Sequence, residues 1–136
     1  MRYLRLFNES NDTFEDELQE FCDNNLAYLI DMGFKIIVTN YYDDLNERSY
    51  EVKLYRAKKG CYQRYSWEEI NDDFIPFLTI LNEKYNIIRI KMDFLSILKN
   101  DVKRSSFITF PINKMLKDKI KEDKIDFIFI QIKKPS

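Results

Sequence analysis

Apolar residues recur at helical spacing from Phe14 through Leu18, Phe21, Cys22, Leu26, Leu29 and Ile30, which predicts one amphipathic helix over about residues 12–32. Asp12 with Glu15, or the neighbouring Thr13, caps its start. Gly33 stands where a left-handed residue closes a helix, and Phe34 is placed to fold back on the last turn. The period then drops from 3.6 to 2. Phe34 to Tyr41, with the β-branched run Ile36-Ile37-Val38-Thr39, predicts a strand. Asp43 to Glu47 reads as a polar turn, and Ser49 to Arg56 alternates cleanly. That alternation sets Tyr50, Val52 and Leu54 on one face and Glu51, Lys53 and Tyr55 on the other, so a hairpin is predicted.

Ser66-Trp67-Glu68-Glu69 is a capping box, opening a helix that buries Ile70, Phe74, Phe77, Leu78, Leu81 and Tyr85. Pro76 inside it is expected to kink or divide the helix, because the carbonyl of Asp72 loses its donor. Asn86 to Met92 predicts the next strand. With Tyr3 to Leu6 also extended, the order becomes β-α-β-β-α-β, the connectivity of a ferredoxin-like sandwich. Beyond it, Phe94 to Leu98 suggests a short helix and Phe107 to Phe110 a strand. Pro111 opens a Lys-rich helix to about Glu122, and Asp126 to Lys133 is a strand apolar enough to sit mid-sheet or under a cover. The expected fold is a single α+β domain spanning 1–136, an antiparallel sheet with helices on one face. Its ferredoxin-like core covers about 1–92 and a C-terminal β-α-β extension about 93–136.

A chain of 136 residues suits one domain. Composition changes the picture mainly by what it removes. There is no histidine, and the two glycines, Gly33 and Gly60, are far apart. A phosphate-cradling loop needs clustered glycines, triads need an imidazole or a specially placed lysine, and zinc sites draw on Cys and His. Cys22 falls on the apolar stripe of the first helix and Cys61 in a basic loop, so both read as free thiols of a reducing compartment. No cofactor and no metal are expected. Met1 to Phe7 is too short and too soon followed by acids for a signal peptide, and no apolar run nears the roughly 18 residues of a membrane span. The expectation is a small soluble cytoplasmic protein without membrane contact. Residues 1–47 carry three basic and eleven acidic side chains, residues 48–98 nine and seven, and residues 99–136 ten and five. This predicts an acidic front and a basic back.

Three constellations could carry function. Glu51-Val52-Lys53 on a strand, after Asp43 or Asp44, resembles the D…(D/E)xK pattern of the restriction-endonuclease-like family, which implies a Mg²⁺-dependent nuclease. Two further (D/E)xK triplets start at Asp101 and Glu122, and alternating charge on an exposed strand produces the same spacing. Glu68, Glu69, Asp72 and Asp73 form a carboxylate cluster that a solvated helix face explains. The third is the acid-free stretch between Glu51 and Glu68. It supplies the candidate binding residues Lys53, Tyr55, Arg56, Lys58, Lys59, Tyr62 and Arg64, with Tyr65 beside them. Cations neutralise phosphates and aromatic rings stack on unpaired bases. If one sheet face stays open, Tyr41, Lys53, Tyr55, Arg89 and Lys91 project from it, the surface RNA-recognition domains use.

Met1-Arg2-Tyr3-Leu4-Arg5-Leu6-Phe7-Asn8-Glu9-Ser10, together with a composition rich in Ile, Lys, Asn and Tyr, resembles the small accessory proteins of A/T-rich tailed bacteriophages. The resemblance implies a viral context, in host cytoplasm or virion. The leading expectation is a non-enzymatic protein that binds another protein, using the acidic first helix and the basic 53–64 segment. An exposed hairpin edge would also allow a homo-oligomer. Single-stranded nucleic-acid binding is the alternative, and the nuclease the third.

Overall fold

The computed structural model describes residues 13–42, 48–96, 102–108 and 124–133, with 94–96 and 102–108 described by backbone alone. The helical periodicity of the first segment produces α1 (Thr13–Asn25) and α2 (Ala27–Asp31), which meet at Leu26. The single helix expected over 12–32 is thus interrupted: Leu26 takes φ −117 and ψ 24, although Leu26 N–H still bonds the Cys22 carbonyl and Ile30 N–H that of Leu26. Gly33, at φ 95, ends α2 as its position requires. β1 (Phe34–Tyr42) and β2 (Arg48–Lys58) then pair antiparallel from Phe34↔Arg56 to Tyr42↔Arg48. A two-residue turn of Lys59 and Gly60, with φ 52 and 80, brings β3 (Cys61–Gln63) back along β2. After β4 (Tyr65–Ser66) come α3 (Trp67–Tyr85), β5 (Ile87–Ser96), β6 (Val102–Ile108) and β7 (Lys124–Lys133).

The protein is α+β, with an antiparallel sheet in the order β1-β2-β7-β5-β6, β3 on β2 and β4 on β7. β2, α3 and β5 form a split unit with another strand between the two parallel strands. In a ferredoxin-like sandwich that inner place belongs to the first strand. Here β7 holds it, so the strand expected in a C-terminal extension is central. Phe94 to Ser96 continue β5 instead of forming a short helix, and β6 includes Phe107 and Ile108 of the expected strand. The expected strand at Tyr3–Leu6, the turn at Asp43–Glu47 and the helix from Pro111 lie outside the described residues.

One face of the sheet carries the core. Ile36 and Val38, Tyr50, Val52 and Leu54, Ile128, Ile130 and Ile132, and Ile90 and Met92 are buried against Leu18, Cys22 and Leu29 and against Ile70, Phe74, Phe77 and Leu81. Two register shifts between β5 and β7, at Ile88 and at Asp126, re-aim the side chains. The second lets Ile125 reach the core although Phe127 and Phe129, two and four residues on, do not. Burial pushes the Cys22 thiol far above its usual range, so this cysteine is inert packing.

α3 begins as the capping box predicts: Ser66 is extended and its N–H donates to Glu69 Oε2 at 2.7 Å. Pro76, expected to kink or divide the helix, lies within one α-helix of 19 residues. Pro76 and Asp72 are both exposed, so the carbonyl that loses its donor is on the solvent side of the helix.

Polar residues of α1 close the sheet's β1 edge. Gln19 Nε2 donates to the Ile36 carbonyl and Gln19 Oε1 accepts from Val38 N–H, both at 2.9 Å. These are backbone groups that point away from β2, on the side where no described strand pairs with β1, so the side-chain amide takes a strand's place there. Asp23 Oδ1 takes a second bond from the same Nε2 at 2.9 Å, and one turn earlier buried Glu15 accepts from Asn40 Nδ2. Glu15, Gln19 and Asp23 are spaced i, i+4, i+8 on one stripe. This stripe is therefore the lock of the β1 edge.

Candidate functional site

Alternation in β1, β2, β5 and β7 puts a second set of side chains on the sheet face opposite the core. No helix among the described residues lies over it. Strand register orders this face into rows. Ile37, Lys53, Phe129 and Lys91 are directly opposite one another across four strands, and so are Thr39, Glu51, Gln131 and Arg89. Asp93 is paired with Phe127, and Lys35 with Tyr55, in the row on the other side.

Lys53 is the centre. Its Nζ lies 4.5 Å from the Phe127 ring centroid, 5.1 Å from that of Tyr55 and 6.0 Å from those of Tyr62 and Phe129. The rings also meet one another, Tyr55 with Tyr62 at 5.4 Å, Tyr62 with Phe127 at 5.2 Å and Phe127 with Phe129 at 6.0 Å. A half-buried ammonium over several rings gains about 1–2 kcal/mol of cation–π attraction. Lys91 Nζ adds a second cation 5.3 Å from Phe129 and 3.9 Å from Asp93 Oδ1. The short β2–β3 turn delivers Tyr62, 66% exposed, onto the edge of this cluster, with exposed Lys58 and Lys59 at its tip.

Of the residues singled out in the basic segment, Lys53, Tyr55 and Tyr62 therefore come together, with Lys58 and Lys59 beside them. Arg56 and Arg64 do not join them. Arg56 shares the core face of β2: Nη1 meets Glu69 Oε1 at 3.1 Å, Nη2 donates to the Arg64 carbonyl at 2.7 Å, and the guanidinium covers the rings of Phe34 and Tyr65. It fastens β2 to the start of α3. Arg64 pairs with Asp126 Oδ1 at 2.9 Å, at the bulge of β7. Tyr65 is wholly buried and donates to the Leu54 carbonyl at 3.2 Å, and burial pushes its hydroxyl far above the usual range.

Phe127, Phe129 and Gln131 complete the face, and sequence reasoning missed them. Asp126–Lys133 reads as continuously apolar, whereas only Ile128, Ile130 and Ile132 are buried and the phenylalanines between them are half-exposed. The signal available was the size alternation, Phe and Gln against Ile, which marks the two faces of a strand.

Glu51 is, with Asp93, an acid of this surface. Burial raises its carboxyl above the ordinary carboxylate value, and Lys91 and Lys53 oppose that rise. The folded state thus holds this proton to higher pH than the unfolded chain, and stability falls as pH rises from about 4.5 through the folded value. Glu51→Gln removes the ionisation. The variant should be more stable than the parent at neutral pH and equal to it below about pH 4, read from urea midpoints across that range. As for the nuclease pattern, Asp43 and Asp44 lie outside the described residues. Among those described, no three Asp, Glu or Cys side chains gather as metal ligands, either here or at Glu68–Asp73. Nor is any described helix long and apolar enough to cross a membrane. No family model, curated protein or solved structure matches the chain.

Proposed function

We propose that the protein binds unpaired nucleic acid across the sheet face that carries Lys53. The observation behind this reading is the coincidence of four aromatic rings with Lys53 and Lys91, on the two strands that flank β7, beside Arg89, Lys35 and the Lys58–Lys59 turn. Rings give stacking surfaces of little sequence preference, worth about 1–3 kcal/mol per base, and the cations take phosphates. Duplex fits poorly, because rings set on a sheet face reach no paired base. A labelled single-stranded decanucleotide of mixed sequence should raise fluorescence anisotropy at low salt and lose affinity as salt increases. Tyr62→Ala should weaken it about tenfold, one stacked base in magnitude, while still unfolding cooperatively in urea, with a midpoint lowered only by the lost contacts to Tyr55 and Phe127. Absence of any anisotropy change at low salt would sink the reading.

A second reading, contact with a protein partner, draws on α2. Tyr28 and Met32 are 64% and 39% exposed there, beside exposed Asp31. Tyr28→Arg should then abolish co-elution with that partner while leaving oligonucleotide binding unchanged.

A further inference from the structure

We infer that the row Glu51–Gln131–Arg89 reads the base stacked beside it and selects guanine. The inference rests on the proposed nucleic-acid role of the same face. Phe129 sits on the central strand with Lys53 and Lys91 to either side, and one step along the strands, on the same face, stand Glu51, Gln131 and Arg89. Same-face neighbours along a strand are about 7 Å apart and strands about 4.8 Å apart. A base lying on the Phe129 ring therefore extends over this second row. Glu51 and Arg89 stand on the two strands that flank β7, so their backbones bracket the base at about twice the strand spacing.

The chemistry at the two ends differs. Glu51 presents a carboxylate, an acceptor of two hydrogen bonds. Arg89 presents a planar fork of donors, and its Nε already donates to Gln131 Oε1 at 2.9 Å, which fixes the plane of the guanidinium. Guanine is the base that complements this pair. Its N1–H and N2–H groups are adjacent donors for a carboxylate, and its O6 and N7 are adjacent acceptors for an arginine. Adenine keeps N7 for the arginine but turns an N6–H₂ group to the fork in place of O6 and the N1 lone pair toward the carboxylate, so it loses one arginine bond and both Glu51 bonds. Inosine keeps N1–H, O6 and N7 and lacks only the 2-amino group, so it isolates one of the Glu51 bonds.

The test uses labelled pentanucleotides, UUGUU, UUIUU and UUAUU, titrated by anisotropy against the full chain and its Glu51→Gln variant at one salt concentration. Guanine is expected to bind about tenfold or more above adenine, in keeping with one good pair of base contacts, with inosine between. Glu51→Gln should narrow the guanine–inosine gap and raise the adenine affinity, because the adenine N1 lone pair then meets an amide instead of a carboxylate. Its urea midpoint shows that the variant is folded. Equal affinities for the three strands would overturn base reading and leave single-strand binding standing. Binding of none of them would remove both.

Discussion

A chain truncated before Lys124 should fail to fold. Far-UV circular dichroism should show the loss of both strand and helix signal, and urea should produce no cooperative transition. β7 is hydrogen-bonded to β2 on one side and β5 on the other, and Ile125, Ile128, Ile130 and Ile132 are at zero exposure within the core. Its loss would leave two unpaired strand edges facing each other across a gap and strip α3 of the strand it packs on. One side chain suffices to grade the effect. Ile130→Ala, which trims a branched residue at the sheet centre, should cost about 2–5 kcal/mol, seen as a lowered urea midpoint at unchanged slope. A cooperative transition in residues 1–123 would show that a smaller core stands without the last strand.

The second large effect is expected at Gln19. Gln19→Leu keeps the bulk of the side chain and removes both amide bonds, leaving the Ile36 carbonyl and the Val38 N–H without the partners that α1 supplies. Each buried backbone group left so costs about 1–3 kcal/mol, and the two together should lower the urea midpoint clearly. The variant should also associate. With the lock gone, β1 offers an edge strand whose outer groups can pair with a second copy, and Ile37 and Tyr42, exposed at 38% and 61%, add apolar contact. Light scattering should show concentration-dependent mass for Gln19→Leu and a constant mass for the parent. A variant that is destabilised but keeps that constant mass would retain Gln19 as a packing residue and remove its role as an edge seal.

The contrast between these two sites shows what the chain's pattern makes legible. Local devices were readable: the Ser66–Glu69 box, the Gly33 stop, and the alternation that separates Tyr50, Val52 and Leu54 from Glu51, Lys53 and Tyr55. Each depends on residues within one or two turns of one another. Strand order does not. Whether β7 or an earlier strand fills the place between β2 and β5 is decided by which apolar face matches the gap, and the two choices have the same periodicity. Arg56 is a similar case. Its basic neighbours suggested a phosphate contact, but parity along β2 puts it with Leu54 on the core face, where Glu69 and two rings receive it. Counting by twos from Leu54 would have moved it off the candidate surface. The aromatic cage around Lys53 needed the third strand, because Phe127 and Phe129 are remote in sequence from the lysine they surround.

The central place of β7 also sets the order of events in time. Leu54 pairs with Ile128 and Tyr50 with Ile132, so the contacts that knit the sheet's middle join distant parts of the chain. Such contacts make a slow-folding topology, since a long loop must close before they form. On the ribosome, β1, β2, α3 and β5 all emerge before the strand that unites them. Until β7 arrives, β2 and β5 hold unpaired inner edges and an uncovered apolar face, a species prone to capture by other nascent chains. The hairpin of β1 and β2, sealed on its outer side by Gln19, needs only local closure and can form early, and β7 then completes the sheet by insertion between two waiting strands.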